Sequence, residues 1–222
     1  VSYQFDFGVV VAAWPDLLRG CLLTLTISCQ AMALGLAIGL VCVLLRRTGI
    51  APLVWSVKGF VEIIRNTPFL VQAFFLYLGL PSVGIRLSPD VAAVLALGLN
   101  GGAYATEIIR SGVESIHKGQ IEAGVALGLR PLQIFRHIIL IPALRVCFPA
   151  LASQFILLML TSSIVASISA VELTTVGQLL ETTTFRSFEI YLTLTGLYLA
   201  MSAMLSGLFA MIERLFFSYP VR

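Results

Sequence analysis

Residues 119–145 read GQIEAGVALGLRPLQIFRHIILIPALR. Charge recurs here every few residues, whereas the segments on either side are almost free of it. The run Glu122 to Leu127 has helical character and stops at Gly128, a residue that takes a positive φ at no steric cost. Pro131 suits the first turn of a following helix, where its missing N–H is no loss. That second helix begins polar and turns apolar after His137. The stretch therefore predicts helix, break, helix, held in water beside a membrane. Two roles fit it: an ordinary loop between membrane helices, or a docking element whose short first helix inserts into a partner.

The membrane follows from what surrounds this stretch. The chain has 222 residues, of which 59% are hydrophobic and 11% charged, and a mean hydropathy of +1.00. A soluble chain carries about 25% charged residues. Residues 20–45, 66–85, 91–106, 146–171 and 190–212 contain no Asp, Glu, Lys or Arg. A spanning helix needs roughly 17–25 mostly apolar residues. Four of these runs meet that length, and the third reaches it if Glu107 lies near an interface or faces protein. Backbone in lipid must satisfy its own hydrogen bonds, and the alternation of a β-barrel is absent. The expected fold is an all-α integral membrane protein of five transmembrane helices plus a short cytoplasmic helix. The spans fall at about 18–45, 55–80, 90–110, 143–168 and 190–213, with an outer lead-in over 1–16 and a docking loop over 119–136. No basic n-region precedes a short apolar core, so no cleavable signal peptide is expected and the first apolar run is a retained helix.

Charge sets the orientation. With the first helix entering from outside, the inner segments hold Arg46, Arg47, Lys58, Arg65, Arg110, Lys118, Arg130, Arg136, Arg145, Arg214 and Arg222. The outer ones hold Arg19, Arg86 and Arg186. Eleven against three predicts an outer N-terminus and an inner C-terminus. The net charge of +3 is thus a topology signal, and no interleaving of basic and aromatic residues suggests nucleic acid.

Several polar residues interrupt the spans. In the first span Ala31, Gly35 and Gly39 recur every four residues, which lets another helix approach closely. Thr67 and Pro68 open the second, where the proline should bend the helix near its inner end, with Gln72 a little deeper. Gln72 suits either an interhelical hydrogen bond or a substrate contact. The third span carries Asn100, Tyr104 and Glu107, and Glu107 can pair with Arg110 three residues on. In the fourth, Gln154 and Thr161 share a face, and Thr161 and Ser162 can bond to carbonyls one turn back. After it, residues 171–187 read as a Thr-rich outer segment with a short surface helix at Gly177 to Glu181. That segment is a landing place for a soluble partner.

The order Glu122-Ala123-Gly124, three residues, then Gly128 resembles the EAA loop of importer-type ABC permeases. Lys118-Gly119-Gln120, Ala126-Leu127-Gly128-Leu129, Gln133, Phe135-Arg136 and Ala143-Leu144-Arg145 are similar to the polar amino acid branch, the histidine and glutamine type. Glu62 to Gln72 resembles that branch's Glu-x-x-Arg-Gly-Thr-Pro-Leu-Leu-Val-Gln, with Asn66 in place of Gly. There are further departures. Gly124 stands where Ala is usual, Pro142 is displaced by one residue, and Leu160 and Thr161 replace a Lys-Asp pair. The resemblance implies a permease subunit working by alternating access. It implies a second permease subunit, identical or paralogous, an ABC ATPase dimer inside and a soluble substrate-binding protein outside. The cargo is an amino acid and the setting the bacterial cytoplasmic membrane. Glu122 would meet a donor on the ATPase, with Ala123 and Gly124 allowing close approach. Thr67, Gln72, Asn100, Tyr104, Glu107, Gln154, Thr161 and Ser162 are the candidates for the substrate pathway.

No P-loop sequence is present, so ATP and Mg are expected in the partner ATPase and no cofactor in this chain. His117 and His137 lack ligand spacing, so no metal site is expected. The alternative function is an ion-gradient-driven secondary transporter or channel for small polar solutes. That mechanism would call for intramembrane acidic residues, and spans one, four and five carry none.

Overall fold

The computed structural model describes residues 3–217. Val1 and Arg222, the latter counted above among the inner basic residues, lie outside the described residues. The described residues form helices joined by short connections. Helix α1 (Gly8–Ala12) leads into α2 (Trp14–Arg47), followed by α3 (Ala51–Arg65) and α4 (Phe69–Phe74). Helix α4 runs on through a π-helical turn, Phe75–Gly79, and a 3-10 turn, Leu80–Val83. Next come α5 (Pro89–Glu114), α6 (Lys118–Ala126) and α7 (Pro131–Gln133). A π-helical stretch, Ile134–Leu140, joins α7 to α8 (Ile141–Thr161), which tightens to 3-10 over Ser162–Ile168. Helices α9 (Leu173–Thr184) and α10 (Ser187–Phe217) complete the described chain.

Among the described residues, four helical stretches are long and apolar enough to cross a membrane: Trp14–Arg47, Pro89–Glu114, Pro131–Ile168 and Ser187–Phe216. The expected second span, 55–80, is not one bent helix. It is two helices, Ala51–Arg65 and Phe69–Val83, inclined at 109°. The cause is local. Pro68 cannot donate to a carbonyl one turn back and adopts φ −62° and ψ 134°, so the chain leaves the helix there. Asn66 has already closed α3, its side-chain Nδ2 donating to the Glu62 carbonyl at 2.8 Å. Proline also explains both π turns, each of which ends two residues before one, Pro81 or Pro142. Widening the turn absorbs the missing N–H and the ring that would otherwise strike the previous turn.

The small-residue stripe in α2 sets the centre of the bundle. A Cβ added at Gly35 would lie 3.0 Å from the Gly102 nitrogen and 3.2 Å from the Gly98 carbonyl oxygen. One added at Gly39 would lie 2.9 Å from Ala105 Cβ. In return, Leu34 and Ile38 of α2 lie over Gly98 and Gly102 of α5. The two backbones approach as closely as they do because neither helix carries bulk on that face. Around this pair Phe155 and Met159 of α8, Leu173 of α9, and Ile190 and Leu194 of α10 form the main core with Leu17 and Met32.

The outer segment is more deeply built in than a surface helix. Helix α9 begins at Leu173 rather than Gly177, and Leu173 is fully buried against Gly20. Gly177 is buried under Leu194. The expected lead-in is shorter than 1–16, since α2 starts at Trp14. Asp6 N–H donates to the buried Glu189 carboxylate at 2.9 Å, and Tyr3 donates to the same group.

Candidate functional site

The predicted docking element folds as helix, turn, helix. Helix α6 ends in a double-bonded turn: Leu129 N–H donates to the Gly124 carbonyl at 3.1 Å and Gly128 N–H to the Val125 carbonyl at 2.9 Å. This pairing requires a left-handed residue, and Gly128 has φ +72°. Arg130 then caps the next helix, its N–H held by Gln133 Oε1 at 2.8 Å, with Pro131 in the first turn. The second helix does not stop at residue 136, where the docking loop was expected to end. It continues without a break into α8, so α6 is joined through the Gly128 turn and α7 to a helix long and apolar enough to cross a membrane.

The four docking residues divide by face. Glu122 and Ala123 are exposed. Gly124 is buried, and a Cβ there would lie 2.5 Å from Ile138 Cδ1 and 3.4 Å from Ile134 Cγ1. Its small size therefore seats α6 on the chain's own π-helical stretch, which corrects the expectation that it opens room for a partner. Around the turn Val125, Leu127 and Leu132 are 62%, 79% and 74% exposed. Three large apolar side chains thus stand outward beside a charged helix.

The pathway candidates fall into separate groups. Gln72 is tied to its own chain: Nε2 donates to the Ile64 carbonyl at 2.8 Å and to Thr67 Oγ1 at 2.8 Å, while Oε1 accepts from Asn100 Nδ2 at 3.2 Å. Thr67 in turn donates to the Ile63 carbonyl. Gln72 thus fastens the corner between α3 and α4 and pins it to α5, so the interhelical reading of this residue fits. An apolar cavity of about 360 Å³ beside it is lined by Ile63, Thr67, Val71, Phe75 and Leu99. Tyr104, one turn along α5, lies under the Arg65 guanidinium, 5.3 Å from its ring centre.

Glu107 pairs with Arg110 at 2.7 Å, as its spacing suggests, and also with Arg46 of α2 at 2.9 Å. Arg110 also reaches Glu114. This network closes the ends of α2 and α5 and has the character of a structural clasp. Gln154 and Thr161 stay on α8, and among the described residues neither hydrogen-bonds to the Gln72 group. The Thr161 hydroxyl donates to the Leu157 carbonyl. Ser162 is fully buried, its hydroxyl on the Met159 carbonyl at 2.6 Å, so it faces the interior of the bundle instead of an open face.

Sequence reasoning passed over Glu172. It is fully buried and caps α9, accepting from Thr175 N–H at 3.0 Å, Tyr198 OH at 2.6 Å and Thr24 Oγ1 at 3.2 Å. These bonds knit α2, α9 and α10 at the end of the bundle opposite Arg46. The available signal was an acidic residue three positions before Thr175 at a helix start. Nearby, Ser187 and Tyr191 donate to Glu181 and hold its carboxyl below the usual range.

Comparison with known proteins gives a consistent result. The family described as binding-protein-dependent transport system inner membrane component matches residues 31–217. The glutamine transport system permease protein GlnP of Escherichia coli K12 is 40% identical over 95% of this chain and 97% of its own. The nopaline transport system permease protein NocM of Agrobacterium fabrum is 32% identical over 94% of this chain and 90% of its own. A chain in the crystal structure of an amino acid ABC transporter with histidines has a TM-score of 0.89 at 32% identity, covering 96% of this chain and 99% of that one. A chain of the MetNI methionine ABC transporter in inward-facing form, at 22% identity and TM-score 0.75, shares the fold.

Proposed function

The chain belongs to the family of binding-protein-dependent transport system inner membrane components, and on that premise we propose that it forms half of the translocation pathway of an ATP-driven amino acid importer. It is not itself an enzyme; ATP hydrolysis belongs to a partner subunit, where ATP and Mg bind. Its partners are an ATPase dimer, a second permease subunit, identical or paralogous, and a soluble binding protein that delivers the amino acid. The membrane is the bacterial inner membrane, with the N-terminus outside and the C-terminus inside.

The observation that carries this reading is the build of α6. Gly124 anchors the helix on Ile134 and Ile138, while Glu122, Ala123, Val125 and Leu127 stand outward. A helix held at one face and open at the other, continuous through α7 with α8, transmits force from a docked ATPase to a membrane helix. Its position after α5 puts it at the same end as Arg46, Arg47 and Arg110, which supports an inward orientation of that end. In alternating access, closure of the ATPase dimer moves α6, and the bundle turns the face around the α3–α4 corner and α5 from one side of the membrane to the other.

The test is reconstitution in liposomes with the co-expressed ATPase, second permease subunit and binding protein. A panel of amino acids is screened for stimulated ATP hydrolysis and for uptake. Stimulation and uptake by the same amino acid support the proposal. Uptake that persists when the ATPase is omitted refutes it.

A further inference from the structure

Helix α5 is 26 residues long, so its midpoint falls between Gly101 and Gly102. Tyr104 is then only about 4 Å along the axis from the midpoint, at 1.5 Å per residue. The Arg65 guanidinium over that ring therefore lies between the middle of the helix and the Glu107 cluster, which is less than one helical turn further on. A cation at that depth is costly unless something answers it. Arg46 and Arg110, nearer the end, are answered by Glu107 and Glu114. Among the described residues no carboxylate lies within 4.0 Å of Arg65. Its side chain is exposed and its N–H fork is open, with the ring of Tyr104 as its support.

One turn earlier on α3 is Glu62, also exposed. An acid and a base three residues apart on a helix ordinarily close on one another. Here they do not. Glu62 Oε2 accepts from Asn66 Nδ2 at 3.0 Å, and Arg65 turns instead to Tyr104. The corner at Pro68 and the Gln72 bonds to Ile64, Thr67 and Asn100 hold this end of α3 fixed against α5. The result is a positive and a negative group on one exposed helix end, just inside the Glu107 cluster and held apart by partners of their own, with Glu62 lining one cavity with Arg46, Lys58 and Glu107.

We propose that Glu62 and Arg65 bind the zwitterion of the transported amino acid, Arg65 taking the α-carboxylate and Glu62 the α-ammonium group. The planar guanidinium matches a carboxylate with two parallel bonds, and its place over the Tyr104 ring, 5.3 Å from the centre, holds it in advance. Both groups of the ligand are common to all amino acids, so this pair sets the class of cargo and leaves the side chain to be read elsewhere. The inference rests on the transport function proposed above.

The test uses the detergent-solubilised complex of permease and ATPase subunits without the binding protein. Equilibrium dialysis against radiolabelled amino acids identifies the tightest binder. That amino acid then competes with its α-carboxamide, which lacks the carboxylate, and its N-acetyl form, which lacks the ammonium. Wild type should prefer the free amino acid over each by about tenfold or more, the scale of a charge-assisted bond. R65Q should abolish the preference over the carboxamide and keep that over the N-acetyl form, and E62Q should do the reverse. R65K keeps the charge but not the two parallel bonds, so it should keep a reduced preference over the carboxamide, and E62D should keep both preferences. They decide the matter if the neutral variants bind nothing. Neutral variants that keep both preferences, or charge-retaining variants that lose them entirely, overturn the proposal. So does a wild-type complex that binds no amino acid by itself yet hydrolyses ATP when the loaded binding protein is added, an outcome that leaves the transport function standing. If no amino acid stimulates hydrolysis with every partner present, the transport reading itself fails.

Discussion

Replacing Gly128 with valine should uncouple transport without unfolding the protein. The backbone there has φ +72°, and an added Cβ would meet nothing within 4 Å. The penalty is therefore conformational and not one of packing. A left-handed conformation costs an L residue about 1–2 kcal/mol, with a β-branched side chain toward the upper end. Two backbone hydrogen bonds hold the turn, Leu129 to Gly124 and Gly128 to Val125, each contributing about 1 kcal/mol net. The opposing terms are of the same size, so valine brings the turn close to balance with open forms. The membrane helices take no part in this. In reconstituted complexes, amino acid taken up per ATP hydrolysed should fall about five- to tenfold, the equivalent of roughly 1–1.4 kcal/mol. The thermal midpoint in detergent should move by only about 2–4 °C, as for a loss near 1 kcal/mol in a chain of this size. Asparagine tolerates the left-handed region, so G128N should recover most of the coupling. Wild-type coupling in G128V, or equal damage in G128N, would refute the reasoning.

Three further outcomes follow from the packing. Gly35→Ala drives a methyl against the backbone of Gly98, Gly101 and Gly102 and should destabilise the protein by about 1–2 kcal/mol, after the helix-propensity gain is set against overpacking. Gly196→Ala, also in a helix but with nothing within 4 Å, should be neutral or stabilising, and thermal melts of the pair should differ in sign. Gln72→Leu removes the bonds to Ile64, Thr67 and Asn100 and should cost about 1–3 kcal/mol, whereas the double variant with Asn100→Ala should cost less than the sum of the singles. Glu172→Gln turns an acceptor into a donor where Thr24, Tyr198 and Thr175 all donate, so it should lower the thermal midpoint by the equivalent of about 1–3 kcal/mol; an unchanged midpoint would mean the carboxylate is dispensable.

The sequence alone determined the elements whose causes are local. Charge-free runs dictate membrane helices because lipid offers the backbone no other partner. A glycine followed two residues later by Arg-Pro dictates a stop and a restart; the turn at Gly128 and the start of α7 at Pro131 follow that reading, whereas α6 begins at Lys118, ahead of the expected Glu122. The stripe Ala31, Gly35, Gly39 announced a close helix contact without saying that its partner would be the Gly98 and Gly102 face of α5. What tertiary structure decided was every question of which side chain meets which. Pro68 was visible as a kink, but the bond that pins its 109° corner to α5, Asn100 to Gln72, joins residues 28 positions apart. Gly124 looked like room for a partner until Ile138 was found over it. Glu172 drew no role from the sequence because the tyrosine and threonine that accompany it come from 26 and 148 positions away. Propensity acts within a turn of helix, whereas burial and charge pairing are set by segments that only folding brings into contact.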